Sequence, residues 1–142
     1  MEGRNARSLG KGLGRPLISY LDTNVTVWLA QGNVDRLSAA ARTQIESSEL
    51  FISPMVLLEL EYLYEVGRIV LAARDVQSKL ANELGVSVCR HGFPSIVSAA
   101  LQEKWTRDPF DRIIVAHAKA NGLAPLVSSD AEIRKSYTRA VW

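Results

Sequence analysis

Apolar positions follow two rhythms along this chain. Short unbroken runs, LISYL at 17–21, LFI at 50–52, VSV at 86–88 and PLV at 125–127, suit buried strands, with AVW at 140–142 a candidate fifth. Between them apolar residues recur three and four positions apart, the spacing of one helix face. That spacing predicts helices over 25–30, 37–45, 54–66, 74–84, 95–104 and 111–121, and a helical turn over 131–135. The punctuation agrees. Asp22-Thr23-Asn24 favours a cap or turn, Ser53-Pro54 supplies an N-cap with proline at the first helical position, and Gly67, Gly85 and Gly122 each stand where a helix should stop. Strands alternating with helices predict a three-layer α/β/α domain with a mostly parallel sheet of four to five strands. In such sheets ligands sit beyond the carboxyl ends of the strands.

The 142 residues suffice for one domain with a buried core. A hydrophobic fraction of 47% and a charged fraction of 23% are those of a soluble globular protein. No apolar run approaches the roughly 20 residues of a membrane helix, so no membrane association is expected. Cys89 is the one cysteine, which rules out an internal disulfide and suits the cytoplasm. A net charge of +2 is too small to announce nucleic-acid binding. Residues 1–16 carry Arg4, Arg7, Lys11 and Arg15 against Glu2 without an apolar stretch. They read as a flexible basic leader rather than a secretory signal, with a phosphate-contacting arm as the alternative. The folded domain is then 17–142.

The chemistry lies in the acids. Asp22 directly follows the first strand, Asp130 stands just past the fourth, and Glu59 falls in the second turn of the helix leaving the second. Asp108 and Asp111 open a helix in RDPFDR. An α/β fold brings these carboxylates toward one edge, and oxygen-only ligands suit Mg²⁺ or Mn²⁺. No cysteine–histidine cluster points to zinc; His91 and His117 are too far apart for a helical ligand pair and read as solvated or hydrogen-bonded. Asp111 shares its helix face with Ile114, Val115, Ala118 and Gly122, an apolar stripe on which a carboxylate is costly unless paired or metal-bound. Each acid also has a plainer explanation, Asp22 and Asp130 as helix caps, Asp108 as a turn residue, Asp111 as a complement to the helix dipole. Periodicity leaves Glu59 and Glu61 both open.

Four segments in order, YLDTN, SPMVLLELEYL, RDPFDRIIVAHA and LVSSD, resemble the PIN-domain nucleases, nearest to the VapC-type toxins of bacterial toxin–antitoxin pairs. The resemblance runs from about Leu17 to Trp142. It implies a PIN-like fold and a catalytic, metal-holding set of Asp22, Glu59, Asp111 and Asp130, with Asp108 a further, less regular acid of this subgroup. It favours Glu59 over Glu61. Thr23, Asn24 and Ser128 match positions that support the site, Ser128 standing where threonine is commoner, and Arg112 is a further supporting candidate. The implied activity is that of a Mg²⁺-dependent endoribonuclease, with Mn²⁺ as a possible substitute, hydrolysing RNA by an activated water. The implied partners are RNA, an antitoxin protein and a second copy of the chain. Arg68, Arg74, Arg107, Arg112, Lys119, Arg134 and Lys135 are candidate RNA contacts, and Trp28 and Phe110 could stack on bases, although core packing explains both aromatics as well. Two other classes stay open. One is a non-catalytic partner- or RNA-binding module whose acids are all caps. The other is a phosphatase with Asp22 as nucleophile, weakened because Asn24 stands where a second acid is usual.

Overall fold

The computed structural model describes residues 17–142; the basic leader expected at 1–16 lies outside the described residues. Strand β1 (Ile18–Leu21) leads through α1 (Thr23–Gln31), a 3₁₀ turn at Val34–Arg36 and α2 (Ala39–Glu46) to β2 (Glu49–Ile52). Helices α3 (Pro54–Glu65) and α4 (Ala73–Leu84) precede β3 (Ser87–Val88). Helices α5 (Phe93–Ala100) and α6 (Pro109–Ala120) lead to β4 (Leu126–Val127), and α7 (Ala131–Ser136) to β5 (Ala140–Val141). The sheet is parallel throughout, in the order β3-β2-β1-β4-β5. All five expected strands form.

Both faces of the sheet are covered. Ser19, Tyr20 and Leu21 are consecutive and fully buried, as are Leu126 and Val127, which a parallel strand achieves only between two layers. Helices α1, α3, α4 and α6 pack among themselves, while α2 lies against β4 and β5. The largest buried side chains, among them Tyr20, Leu50, Ile52, Leu60, Leu80, Ile114 and Leu126, join these elements into one core. Ile96, Ala100, Ile113 and Ala116 form a second cluster between α5 and α6.

Three sequence expectations are corrected in detail. The helix expected over 95–104 spans Phe93–Ala100, because Pro94 sits in its first turn and the chain after Leu101 turns away. Helix α1 begins at Thr23, because Asp22 caps it directly with its own carboxylate. The helix expected over 37–45 starts at Ala39, since the Ser38 hydroxyl accepts from Ala41 N–H as its N-cap. Among the described residues no helix is long and apolar enough to cross a membrane.

The order 3-2-1-4-5 has a consequence for function. After β1 the chain builds outward through β2 and β3, then returns to the other side of β1 to lay down β4 and β5. The strand order therefore reverses between β1 and β4. Connections leaving those two strands part in opposite directions and open a crevice beyond their carboxyl ends.

Candidate active site

Asp22 stands at that crevice, one residue past β1, and Ser128-Ser129-Asp130 follow β4 beside it. The register pairs Leu21 with Val127, and Asp22 N–H donates to the Val127 carbonyl at 3.0 Å. Asp22 is 6% exposed, and both its oxygens are engaged: Oδ1 accepts from Thr23 N–H at 2.8 Å and Oδ2 from the Ser128 hydroxyl at 2.7 Å. Ser128 is fully buried and also accepts from Asp130 N–H, so one hydroxyl ties two acids of the site together.

Helix α3 brings the glutamate. Ser53 is buried at the end of β2, accepts from Met55 N–H and is followed by Pro54, so α3 starts at a fixed point. Two turns in, Glu59 Oε1 accepts the Thr23 hydroxyl at 2.5 Å. Glu61, the competitor left open by periodicity, points elsewhere: its Oε1 accepts Ala73 N–H at 3.0 Å and holds the start of α4.

Helix α6 brings Asp108 and Asp111. Asp108 is the N-cap, its Oδ1 accepting from Phe110 N–H at 2.8 Å and Asp111 N–H at 3.4 Å. Asp111 sits one turn in and half-buried, and among the described residues no hydrogen bond reaches its carboxylate. Asp130 caps α7 through Oδ1, which accepts from Glu132 and Ile133 N–H. Asp22 and Asp130 thus do cap helices, and Asp108, read from sequence as a turn residue, is also an N-cap, yet in Asp108 and Asp130 capping occupies only Oδ1 among the described residues.

Electrostatics ties the acids into one group. The Asp111 carboxyl is pushed up to about 7, first by burial and then by the charges of Asp108, Asp22, Asp130 and Glu59. Asp22 is raised by burial, against the lowering bonds from Ser128 and Thr23, with Asp130 and Asp108 adding to the rise. Glu59 is raised by burial, with Thr23 opposing and Asp22 and Asp108 adding. The ion pairs among the described residues are Arg42–Asp35, Lys79–Glu83 and Lys119–Glu103, none of which uses a site acid. Four acids therefore bear on Asp111 at this crevice, and none of the five has an ion-pair partner among the described residues.

The donor set is hard oxygen, which fits Mg²⁺ or Mn²⁺ and not zinc or copper. Among the described residues no three ligand-type side chains already form a cage around one point. Mg²⁺ does not need one: it binds through one or two carboxylates and keeps waters and substrate phosphate for its other positions. Asp22, Asp111, Asp130 and Glu59, with Asp108, are the residues that would hold such an ion.

The remaining candidates divide. Thr23 and Ser128 bond site carboxylates, whereas Asn24 is exposed. Arg112 Nε donates to the Thr106 carbonyl at 3.0 Å and so secures the chain before Asp108. Lys119 is held by Glu103, and its ammonium also lies 5.7 Å from the Tyr137 ring. Trp28 packs against Trp142, with the Arg36 guanidinium 5.0 Å over its ring, and Phe110 packs on the core. Sequence reading did not single out Glu103 and did not place His117 beside Ser53. Glu103 is buried, accepting from Lys119 and from the Trp105 indole, and His117 is buried with Nδ1 2.8 Å from the Ser53 hydroxyl. Nothing local marked Glu103; for His117 the signal was its place on the apolar helix after Asp111.

An all-parallel α/β sheet with unpaired carboxylates at its switch point defines a class of acidic-site α/β proteins. The PIN domain profile matches residues 19–137, and the chain belongs to that family. Among solved structures it is similar to VapBC2 from Rickettsia felis, bound to a DNA fragment from its promoter, with 20% identity and a TM-score of 0.53. The match covers 84% of this chain and 93% of that one. Comparison with curated proteins gives no significant match.

Proposed function

We propose that this protein is a Mg²⁺-dependent endoribonuclease, the toxin of a toxin–antitoxin pair, hydrolysing RNA phosphodiester bonds. The observation that carries the proposal is the convergence of Asp22, Glu59, Asp108 and Asp130 on Asp111, whose carboxyl their charges help to raise, with no ion pair to any of these acids among the described residues. PIN-domain membership and the fold shared with a VapBC2 structure support the same assignment.

A divalent ion held here would supply charge neutralisation on the phosphate and a water of lowered pKa. The chain supplies the rest. Ser128 and Thr23 N–H fix both oxygens of Asp22, so that acid keeps one orientation. The Thr23 hydroxyl holds one oxygen of Glu59. Asp111, whose carboxylate accepts no hydrogen bond among the described residues and is pushed up to about 7, can change between protonated and ionised forms near neutral pH. No side-chain nucleophile is required, and Asp22 is poorly suited to be one, buried with both oxygens bonded.

The antitoxin would meet an apolar surface on α3. Leu58, Tyr62 and Val66 recur four residues apart and are all more than half exposed, with Val70 beyond them. On α2, by contrast, the apolar residues Ala41 and Ile45 face the core. A homodimer is the further expectation for this type.

A second reading has an observation of its own, the caps at Asp22, Asp108 and Asp130: a non-catalytic binding module whose acids only start helices. An RNA-cleavage assay with mapped ends, with and without EDTA, on the intact protein and Asp111→Asn separates the two. Cleavage that needs metal and is lost in the variant supports the nuclease; equal behaviour of both proteins defeats it.

A further inference from the structure

The loop between α5 and α6 has no regular structure, yet it delivers Asp108 to the site. Its anchor is Glu103. This side chain is 5% exposed, and both of its oxygens are used: Oε2 accepts from Lys119 Nζ at 2.8 Å and Oε1 from the Trp105 indole N–H at 2.8 Å. Lys119 lies in the third turn of α6, the helix Asp108 opens, and Trp105 packs against the core. A buried carboxylate is costly, and an apolar residue of similar size would often hold the fold as well. What the ion pair adds is one geometry. It ties the loop backbone to the far part of α6, while closer to the site Arg112 holds the Thr106 carbonyl and the Thr106 hydroxyl accepts Asp108 N–H at 3.1 Å.

We propose that Glu103 is a positioning residue: clamped by Lys119 and Trp105, it fixes the loop that sets Asp108 beside the other acids of the site. The proposal rests on the nuclease assignment, and Glu103 acts through Asp108 without touching substrate. If so, the benefit of Glu103 exists only while Asp108 is present. A residue that merely stabilised the fold would matter equally with and without Asp108.

The test is a double-mutant cycle of Glu103→Gln and Asp108→Asn in the full-length protein, read as RNA-cleavage rate at saturating Mg²⁺. Glutamine can still accept the indole N–H but cannot pair with the ammonium. The expected result is a loss of about tenfold from Glu103→Gln in the parent and none in the Asp108→Asn background. The same loss in both backgrounds, or no loss in either, overturns the proposal. If Glu103→Gln does not fold, Trp105→Phe carries the same cycle, since it removes one clamp and keeps the packing. Amide exchange at Phe110 and Asp111, whose N–H groups Asp108 caps, gives a readout independent of cleavage. A parent protein that cleaves no RNA defeats the functional assignment; the clamp is then decided by exchange alone, with faster exchange in Glu103→Gln supporting it and unchanged exchange overturning it.

Discussion

Ser128 and Asp22 lie 106 residues apart in sequence and 2.7 Å apart in space, the serine hydroxyl donating to the oxygen of the aspartate that its own helix cap leaves free. The bond spans the switch point between β1 and β4, and it adds a side-chain tie to the backbone bond from Asp22 N–H to the Val127 carbonyl. Ser128→Ala would leave a buried carboxylate oxygen without a donor. The expected cost is about 1–3 kcal/mol in folding stability, with the Asp22 carboxyl rising further as a lowering bond is lost. Ser128→Thr keeps the hydroxyl and should keep both stability and cleavage. Denaturant melts of the two variants check this.

Asp111 makes a prediction about pH. Its carboxyl is raised from 3.8 to about 7, so the folded state holds a proton that the unfolded chain has released. In metal-free buffer its contribution to stability is therefore present below about 4 and is lost as pH rises to about 7. Asp111→Asn removes that loss. Allowing for partial exposure, the metal-free variant should gain about 1–2 kcal/mol over the parent at pH 8 and nothing at pH 4. Added Mg²⁺ should restore the parent, with an apparent affinity that falls as the pH drops below 7 and protons compete. Chemical denaturation across that range, with and without the ion, measures both effects.

His117 acts with the opposite sign. Burial lowers its pKa below 6.5, and among the described residues its buried Nε2 has no hydrogen-bond partner. Its contribution to stability is present above about 6.5 and is lost as pH falls below that value, because the unfolded chain binds the proton more tightly. Difference curves against Asp111→Asn separate the two groups.

Glu59 and Glu61, two residues apart on α3, should separate function from stability. Glu59→Gln keeps an acceptor for the Thr23 hydroxyl but removes a charge from the site; cleavage should fall about 100-fold with little change in melting. Glu61→Ala removes the acceptor for Ala73 N–H at the start of α4 and should cost about 1 kcal/mol while leaving cleavage intact. Rates and melts on both variants test the division.

Tyr62 tests the partner surface. It stands more than half exposed between Leu58 and Val66. Tyr62→Asp should weaken capture of the antitoxin expressed from the native operon by about tenfold or more and leave the RNA-cleavage rate unchanged.

Much of this fold was legible because its signals are local. Unbroken runs such as LISYL mark strands buried on both faces, and Ser53-Pro54 and Gly85 mark helix ends through backbone geometry that other residues adopt less readily. The place of Asp22 and Asp130 followed from the rule on strand ends, and the stripe through Ile114, Val115 and Ala118 put Asp111 on an inner face. Other features were hidden because they depend on distant pairing. The Ser128–Asp22 bond, the split between Glu59 and Glu61, and the burial of Glu103 under Lys119 and Trp105 join residues with no shared period. The loop after α5 read as helix because its apolar spacing continues past Ala100 to Leu101 and Trp105; tertiary clamping decided otherwise.

The central claim is that these scattered carboxylates make one divalent-cation site. Calorimetric titration of Mn²⁺ into the metal-free protein at pH 8, repeated on Asp22→Asn, Asp111→Asn and Asp130→Asn, tests it most directly. Saturable binding to the parent and at least about tenfold weaker binding to each variant are expected. Absence of binding to the parent, or equal affinity in all four proteins, would contradict it.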